Sequence, residues 1–129
     1  MSLAFSHPWA RAAIKDGIGG GFLTVTNNGT EGDRLIGASS PAAESVELHA
    51  IRVKGPAIVM APIERGIVVP HGQAITLKPR GYHLLMKGLK APLQKGAKVS
   101  VTLVFEKAGS LPLDLVVEEP GPVGNEMSI

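Results

Sequence analysis

The sequence contains no cysteine among its 129 residues. A chain without cysteine forms no disulfide, no cysteine-ligated zinc site and no cysteine nucleophile. A blue-copper electron-transfer centre is excluded too, because that centre requires a thiolate ligand. The absence does not identify a compartment, although it fits a protein that handles a redox-active metal where thiols would oxidise.

Long apolar runs and clusters of one charge are also missing. No run approaches the roughly 20 apolar residues of a membrane-spanning helix, and no charged segment followed by an apolar one opens the chain. We therefore expect no membrane insertion. The 13 Lys and Arg and 11 Asp and Glu give a net charge of +2. Because the basic residues are spread along the chain, we expect no nucleic-acid partner.

The composition that remains is that of one folded domain. Hydrophobic residues make up 44% of the chain and charged residues 19%, which gives ample apolar surface for one core. We expect residues 1–119 to form a single domain. Gly and Pro are frequent from Glu118 to Asn125, so we expect residues 120–129 to form a flexible C-terminal tail.

Short apolar or alternating segments recur between turn signals, and none keeps a 3.6-residue period over three turns. This pattern favours an all-β fold, and the spacing of about ten residues between strands points to a β-sandwich or barrel. Glycine, proline and asparagine separate the segments where the chain must reverse. The predicted strands are Trp9–Ile14, Gly21–Thr26, Asp33–Ala38, Ser45–Val53, Ala57–Ala61, Gly66–Val69, Ala74–Leu77, Tyr82–Lys87, Lys98–Glu106 and Leu111–Val117.

A glycine-rich segment, Gly17 to Gly21, superficially resembles a nucleotide-binding loop. The residues that follow, Phe22 to Thr26, have the pattern of a strand, whereas a nucleotide-binding loop must lead into a helix. The sequence therefore gives no support for nucleotide binding.

The four histidines are the main candidates for chemistry. His7 precedes a proline and His71 lies in a predicted turn, so we expect both to be solvated. In the segment around His49, alternation places Val46 and Leu48 on one face and His49 on the other. His83 also lies within a predicted strand.

Two methionines accompany the strand histidines. Met60 follows the predicted turn at Lys54 to Pro56, which would fold its strand back onto that of His49, and Met86 lies three residues after His83. Thioether sulfur is a soft ligand that selects copper(I), and imidazole serves either oxidation state of copper. Zinc would normally recruit thiolates or more histidines. The alternative is that these histidines are structural and these methionines fill gaps in the core.

The spacing of these residues resembles the His-x10-Met-x21-His-x-Met pattern of the PCuAC family. Ten residues separate His49 from Met60, and Gly81-Tyr82-His83 follows with a methionine nearby. The family comprises periplasmic copper chaperones associated with the CuA centre of cytochrome c oxidase. Further segments that follow the family's order are His7–Arg11, Gly21–Asn27, Asp33–Pro41, Val46–His49, Gly88–Leu93 and Val104–Gly109.

The resemblance implies a cupredoxin-like Greek-key domain that binds copper(I), or copper(II) as a second state, through His49, Met60, His83 and Met86. It implies export to the periplasm, and we expect the export signal to lie outside the sequence given. The implied partners are the copper ion and an acceptor such as cytochrome c oxidase subunit II or a Sco-type thiol chaperone. We expect a monomer and no enzymatic activity.

The chain departs from the family pattern at three points. Between Met60 and His83 there are 22 residues, one more than in the pattern, which a turn can absorb. Leu85 stands where the family has its second methionine, and Met86 comes one residue later. On a regular strand Met86 points away from the face of His83, so it reaches a shared metal only through a bulge. Ile51 stands where many family members have a methionine.

Two other functions remain open from the sequence alone. One is a β-domain without metal that presents its loops to a protein partner. The other is a hydrolase in which a histidine acts with Glu47 or Glu64. No serine elbow or zinc motif supports the hydrolase, and Ser39-Ser40 lies in a predicted loop without an identifiable partner.

Overall fold

A computed structural model describes residues 3–79 and 81–118, apart from the side chains of residues 52–54 and 58. The predicted tail, 120–129, lies outside the described residues. Within them the fold contains ten strands and no helix, so the all-β prediction is confirmed. The strands are β1 Leu3–Arg11, β2 Ile18–Asn27, β3 Asp33–Ser39, β4 Ala43–Lys54, β5 Ala57–Pro62, β6 Ile67–Val69, β7 Ala74–Leu77, β8 His83–Leu89, β9 Lys98–Phe105 and β10 Gly109–Glu118.

Seven of these strands close into a barrel. The order is β4-β8-β2-β1-β10-β9-β3, and β3 returns to β4 through the pair Ala38 and Val46. The pairing of β1 with β10 is parallel and all the others are antiparallel. Strands β5, β6 and β7 attach outside this ring to β4, β3 and β2. Closure gives each of the seven central strands a neighbour on both sides over part of its length, which covers most of the free sheet edge.

The core fills the inside of the barrel through simple alternation. In β9, Val99, Val101 and Leu103 are buried while Ser100 is exposed. Leu35, Leu84 and other apolar side chains from the remaining barrel strands join the same cluster. Burying each large apolar side chain contributes roughly 1.5–3 kcal/mol relative to its exposed state. No helix in the described part of the chain is long and apolar enough to cross a membrane.

Strand β1 differs from its prediction. It runs from Leu3 to Arg11, whereas alternation predicts a strand that begins at Trp9. His7 has a φ of +48°, and the register with β2 shifts between Ser6 and Trp9. This bulge accommodates Pro8, which lacks the N–H for a regular ladder, so pairing continues on both sides of a residue that usually ends a strand.

Strand β2 begins earlier than predicted because the glycines are part of it. Gly19, Gly20 and Gly21 pair with successive residues of β8. A Cβ atom on Gly21 would lie 3.0 Å from Leu115 Cδ1, and one on Gly19 would lie 3.2 Å from Met86 Cε. The glycines therefore leave room for core side chains of neighbouring strands, and the segment is a strand, as the rejection of a nucleotide loop requires.

Candidate metal centre

Strands β4 and β8 bring the two strand histidines side by side. His49 and His83 are directly opposite in the antiparallel register, and opposed residues share one face of a sheet. Val46 and Leu48 of β4 belong to the barrel core. Because side chains alternate along a strand, His49 and Glu47 lie on the outer face. The predicted orientation of His49, away from the core stripe of its strand, is confirmed.

The two rings are close together and shielded from solvent. Their centroids lie 6.0 Å apart with an angle of 35° between the planes. His49 is 7% exposed and His83 is 0% exposed. Metal–nitrogen bonds of about 2 Å from two imidazoles keep the ring centres several ångström apart, so this separation is compatible with a shared ion.

Each ring uses one nitrogen in a hydrogen bond and keeps the other free. His49 Nε2 lies 2.9 Å from Glu47 Oε1, and His83 Nδ1 lies 2.9 Å from the carbonyl oxygen of Gly81. His49 Nδ1 and His83 Nε2 are buried, and neither has a hydrogen-bond partner within residues 3–79 and 81–118. Since buried polar atoms are almost always paired, these two nitrogens on adjacent rings are the candidate ligand atoms of the site.

Met60 lies on the same outer face. It is opposite Ile51 in the β4–β5 ladder, while Pro62 is opposite His49. Ile51 is two residues after His49, so Met60 is a diagonal neighbour of His49 on one face, at a typical spacing of about 7–8 Å between backbones. Met60 is 41% exposed, so its side chain is accessible to solvent on this face.

Met86 is not brought to the other three residues. It pairs with Val46 and Gly19, is 0% exposed and belongs to the core cluster. No bulge turns its side chain outward, because β8 keeps an unbroken register with β4 from His83 to Lys87. Leu85, in contrast, shares the face of His83 and is 2% exposed. The expected fourth ligand therefore lies on the opposite side of the sheet.

The other two histidines lie apart from this pair. His7 and His71 are both exposed, as the sequence predicts. The ring of His7 lies 6.4 Å from that of Trp9, at the bulge in β1.

The environment favours a neutral ring at His83 and a charged carboxylate at Glu47. Burial lowers the pKa of His83, against a smaller opposing effect of the Gly81 carbonyl. The hydrogen bond from His49 lowers the pKa of Glu47, with a further contribution from Lys87. Lys87 Nζ lies 3.3 Å from Glu47 Oε1, the same oxygen that contacts His49. A neutral imidazole is the form that binds metal.

The contact between Glu47 and His49 is not part of the metal site that the sequence predicts. The spacing of two residues places both side chains on one face, so the signal was present. The sequence links Glu47 with a histidine only in the hydrolase hypothesis. Ser40 is the serine considered for the hydrolase hypothesis. Its hydroxyl donates to the carbonyl oxygen of Ser100 and accepts from the N–H of Ala42. It stabilises a loop.

Comparison with known proteins identifies the family. A family model described as "LpqE-like: Putative lipoprotein LpqE-like" matches residues 3–117. The chain belongs to the LpqE-like family. This LpqE-like chain is 37% identical over 114 residues to "Putative lipoprotein Lxx21020" of Leifsonia xyli subsp. xyli (strain CTCB07). The match covers 88% of the chain and 68% of that relative.

Solved structures similar to the LpqE-like chain are PCuAC domains. The copper-bound PCuAC domain from PmoF2 has a TM-score of 0.76 and 30% identity, over 93% of this chain and 95% of that one. The apo PCuAC domain from PmoF1 has a TM-score of 0.79 and 29% identity, over 93% and 96%. DR1885 from Deinococcus radiodurans in its Cu(I) form has a TM-score of 0.63 and 25% identity, over 92% and 81%. The resemblance to PCuAC domains and the cupredoxin-like fold are confirmed.

Proposed function

We propose that this LpqE-like protein is a copper(I) carrier that holds the ion with His49, His83 and Met60. The observation that carries the proposal is the pair of buried imidazoles in register, each with one ring nitrogen free of a hydrogen bond. The similarity to copper-bound PCuAC domains supports the choice of metal.

The donor set favours copper(I) over harder metals. Two imidazoles and one thioether form a soft ligand set. Within the described ranges no three His, Cys, Asp or Glu side chains gather as a metal-binding group, whereas zinc sites usually combine such residues. Copper(II) is a second state that the imidazoles can serve. Met86 is left out of the proposed site because it lies in the core.

Three donors leave the ion exchangeable, which suits delivery. Met60 is the most exposed of the three ligands, so an acceptor can approach from its side and replace the thioether first. We expect transfer by ligand exchange, without covalent catalysis, to a site richer in thiolate such as the CuA site of cytochrome c oxidase subunit II or a Sco-type chaperone. We place this exchange outside the cytoplasm, in the periplasm, because the family and the matched relative are described as lipoproteins.

A copper(I) titration against a chromophoric competitor tests the proposal. The variant His49→Ala, His83→Ala should bind copper at least about a hundredfold more weakly than the wild type, about 2.7 kcal/mol. The matched control is His7→Ala, His71→Ala, which removes two exposed histidines and should bind as the wild type does. Circular dichroism must show that both proteins are folded. Equal affinity of the two double variants would contradict the proposal.

A second candidate is a metal-free protein-binding domain that keeps the fold. Two residues favour this function: Leu85, at the methionine position of the PCuAC pattern, and Met86, in the core. They leave three candidate ligands instead of four. Metal analysis of untagged protein after copper loading and desalting separates the two functions. The carrier should retain about one copper ion per chain, and the binding domain should retain essentially none.

A further inference from the structure

The hydrogen bonds of the two rings determine which nitrogen of each is free to bind. The Glu47 carboxylate can only accept, so the 2.9 Å contact requires His49 to carry a proton on Nε2. His49 Nδ1 then holds the lone pair.

His83 has the opposite arrangement. The carbonyl oxygen of Gly81 can only accept, so His83 carries its proton on Nδ1 and its lone pair on Nε2. Two adjacent histidines on one face therefore present different nitrogens. The backbone holds the tautomer of His83, whereas that of His49 depends on one side chain, Glu47.

We propose that Glu47 is a positioning residue for copper: its hydrogen bond holds His49 in the tautomer that offers Nδ1 to the ion, and His83 offers Nε2. This inference rests on the proposed function. Partners of this kind fix ring orientation and raise the basicity of a ligating histidine. Lys87 extends the arrangement, because its Nζ lies 3.3 Å from the same Glu47 oxygen and restrains the carboxylate.

The tautomers can be measured without copper. Long-range ¹H–¹⁵N correlation spectra of the metal-free protein near pH 7.5 distinguish a protonated from an unprotonated nitrogen in each ring. We expect protonated Nε2 in His49 and protonated Nδ1 in His83. In Glu47→Ala, His49 should become a mixture of tautomers while His83 stays unchanged. Protonated Nδ1 in His49 of the wild type would overturn the inference whether or not the protein binds copper.

Copper(I) affinity provides the second measurement. Glu47→Ala should weaken binding by about tenfold to a hundredfold, the range typical of partners that orient a metal ligand. Glu31→Gln is the control, since it removes a carboxylate that pairs with a different lysine, Lys107, at 3.1 Å. It should bind copper as the wild type does.

Glu47→Gln separates positioning from charge. Its amide oxygen can still accept from His49 Nε2, so a variant that keeps the tautomer should keep the affinity within a few-fold. If the affinity falls while the tautomer is kept, Glu47 acts through its charge and the inference is overturned. If wild-type protein shows the expected tautomers but binds no copper, the carrier function fails although the ring geometry is correct.

Discussion

The two faces of β8 are both buried, but they differ in the side chains that they carry. Leu84 and Met86 point into the barrel and are both 0% exposed. His83 and Leu85 face outward and are also buried, but His83 keeps a nitrogen without a partner in the described chain. Leu84 and Met86 on the core face need only apolar contacts. The outer face contains a buried ring nitrogen for which apolar contacts provide no partner. Both faces are therefore buried, and they differ in whether every buried polar atom has a hydrogen-bond partner.

The two methionines show the same contrast more sharply. Met86, three residues after His83, is a core residue, while Met60, 23 residues before His83, lies on the outer face. Strand parity and ladder register decide this, not distance along the chain. Identical substitutions at the two methionines should therefore have opposite effects.

The largest expected effect is the loss of stability in Met86→Ala. The side chain is fully buried among core residues, so truncation should lower the free energy of unfolding by about 2–5 kcal/mol. Denaturant unfolding followed by circular dichroism measures it. Met86→Leu conserves volume and should cost less than about 1.5 kcal/mol, with copper(I) affinity unchanged. A tenfold loss of affinity in Met86→Leu would place this sulfur in the metal site.

Leucine at the outer methionine, Met60, should lower copper(I) affinity and leave stability nearly unchanged. Met60→Leu removes a thioether from a partly exposed position, so stability should stay within about 0.5 kcal/mol of the wild type. Copper(I) affinity should fall by at least about tenfold, about 1.4 kcal/mol. Competitor titration measures the affinity, with Met86→Leu as the matched control. If both leucine variants bind equally, Met60 is not a ligand.

Local patterns predict most of this contrast. The turn at Lys54 to Pro56 predicts the β4–β5 hairpin, and alternation around Val46 predicts the outward direction of His49. Strand parity alone puts Met86 on the face opposite His83, where the structure has it, whereas the resemblance to the PCuAC pattern led to its prediction as a ligand. These features depend on neighbours in sequence or on one short turn, so the sequence is sufficient to reveal them.

Other features depend on contacts between distant segments. The parallel pairing of β1 with β10, which closes the barrel, joins the two ends of the described chain. The extension of β2 through Gly19 and Gly21 follows from Leu93 and Leu115, whose side chains fill the space above the glycines. The bulge at Pro8 is invisible to alternation, because it interrupts the pattern that would reveal the strand. Such features require the tertiary structure.

A methionine at residue 85 tests whether the outer face of β8 can provide a further sulfur donor. Leu85→Met places a thioether on the face of His83, at the position that the family pattern gives to methionine, and should raise copper(I) affinity by about tenfold, about 1.4 kcal/mol. Leucine and methionine are similar in volume, so the loss of stability should stay below about 1.5 kcal/mol. Leu84→Met makes the same change on the inner face and should leave the affinity unchanged. Equal affinities in the two variants would show that residue 85 does not reach the ion.

The smallest effect expected is a pH dependence of stability in the metal-free protein. Burial holds the pKa of His83 below its ordinary value of 6.5, so the unfolded state takes up a proton at a higher pH than the folded state. The unfolded chain then binds more protons below about pH 6.5, and the free energy of unfolding falls as the pH falls, by at most about 1.4 kcal/mol per pH unit for one group.

Denaturant unfolding between pH 7.5 and 5.5 should show this slope in the wild type and a smaller one in His83→Gln. The control His71→Ala should keep the wild-type slope, because His71 is exposed. Glu47 has a lowered pKa, and its contribution is lost only at more acidic pH, so the two effects separate along the pH axis. If His83→Gln and the wild type share one slope, the ring of His83 is not the buried neutral group that the outer face of β8 requires.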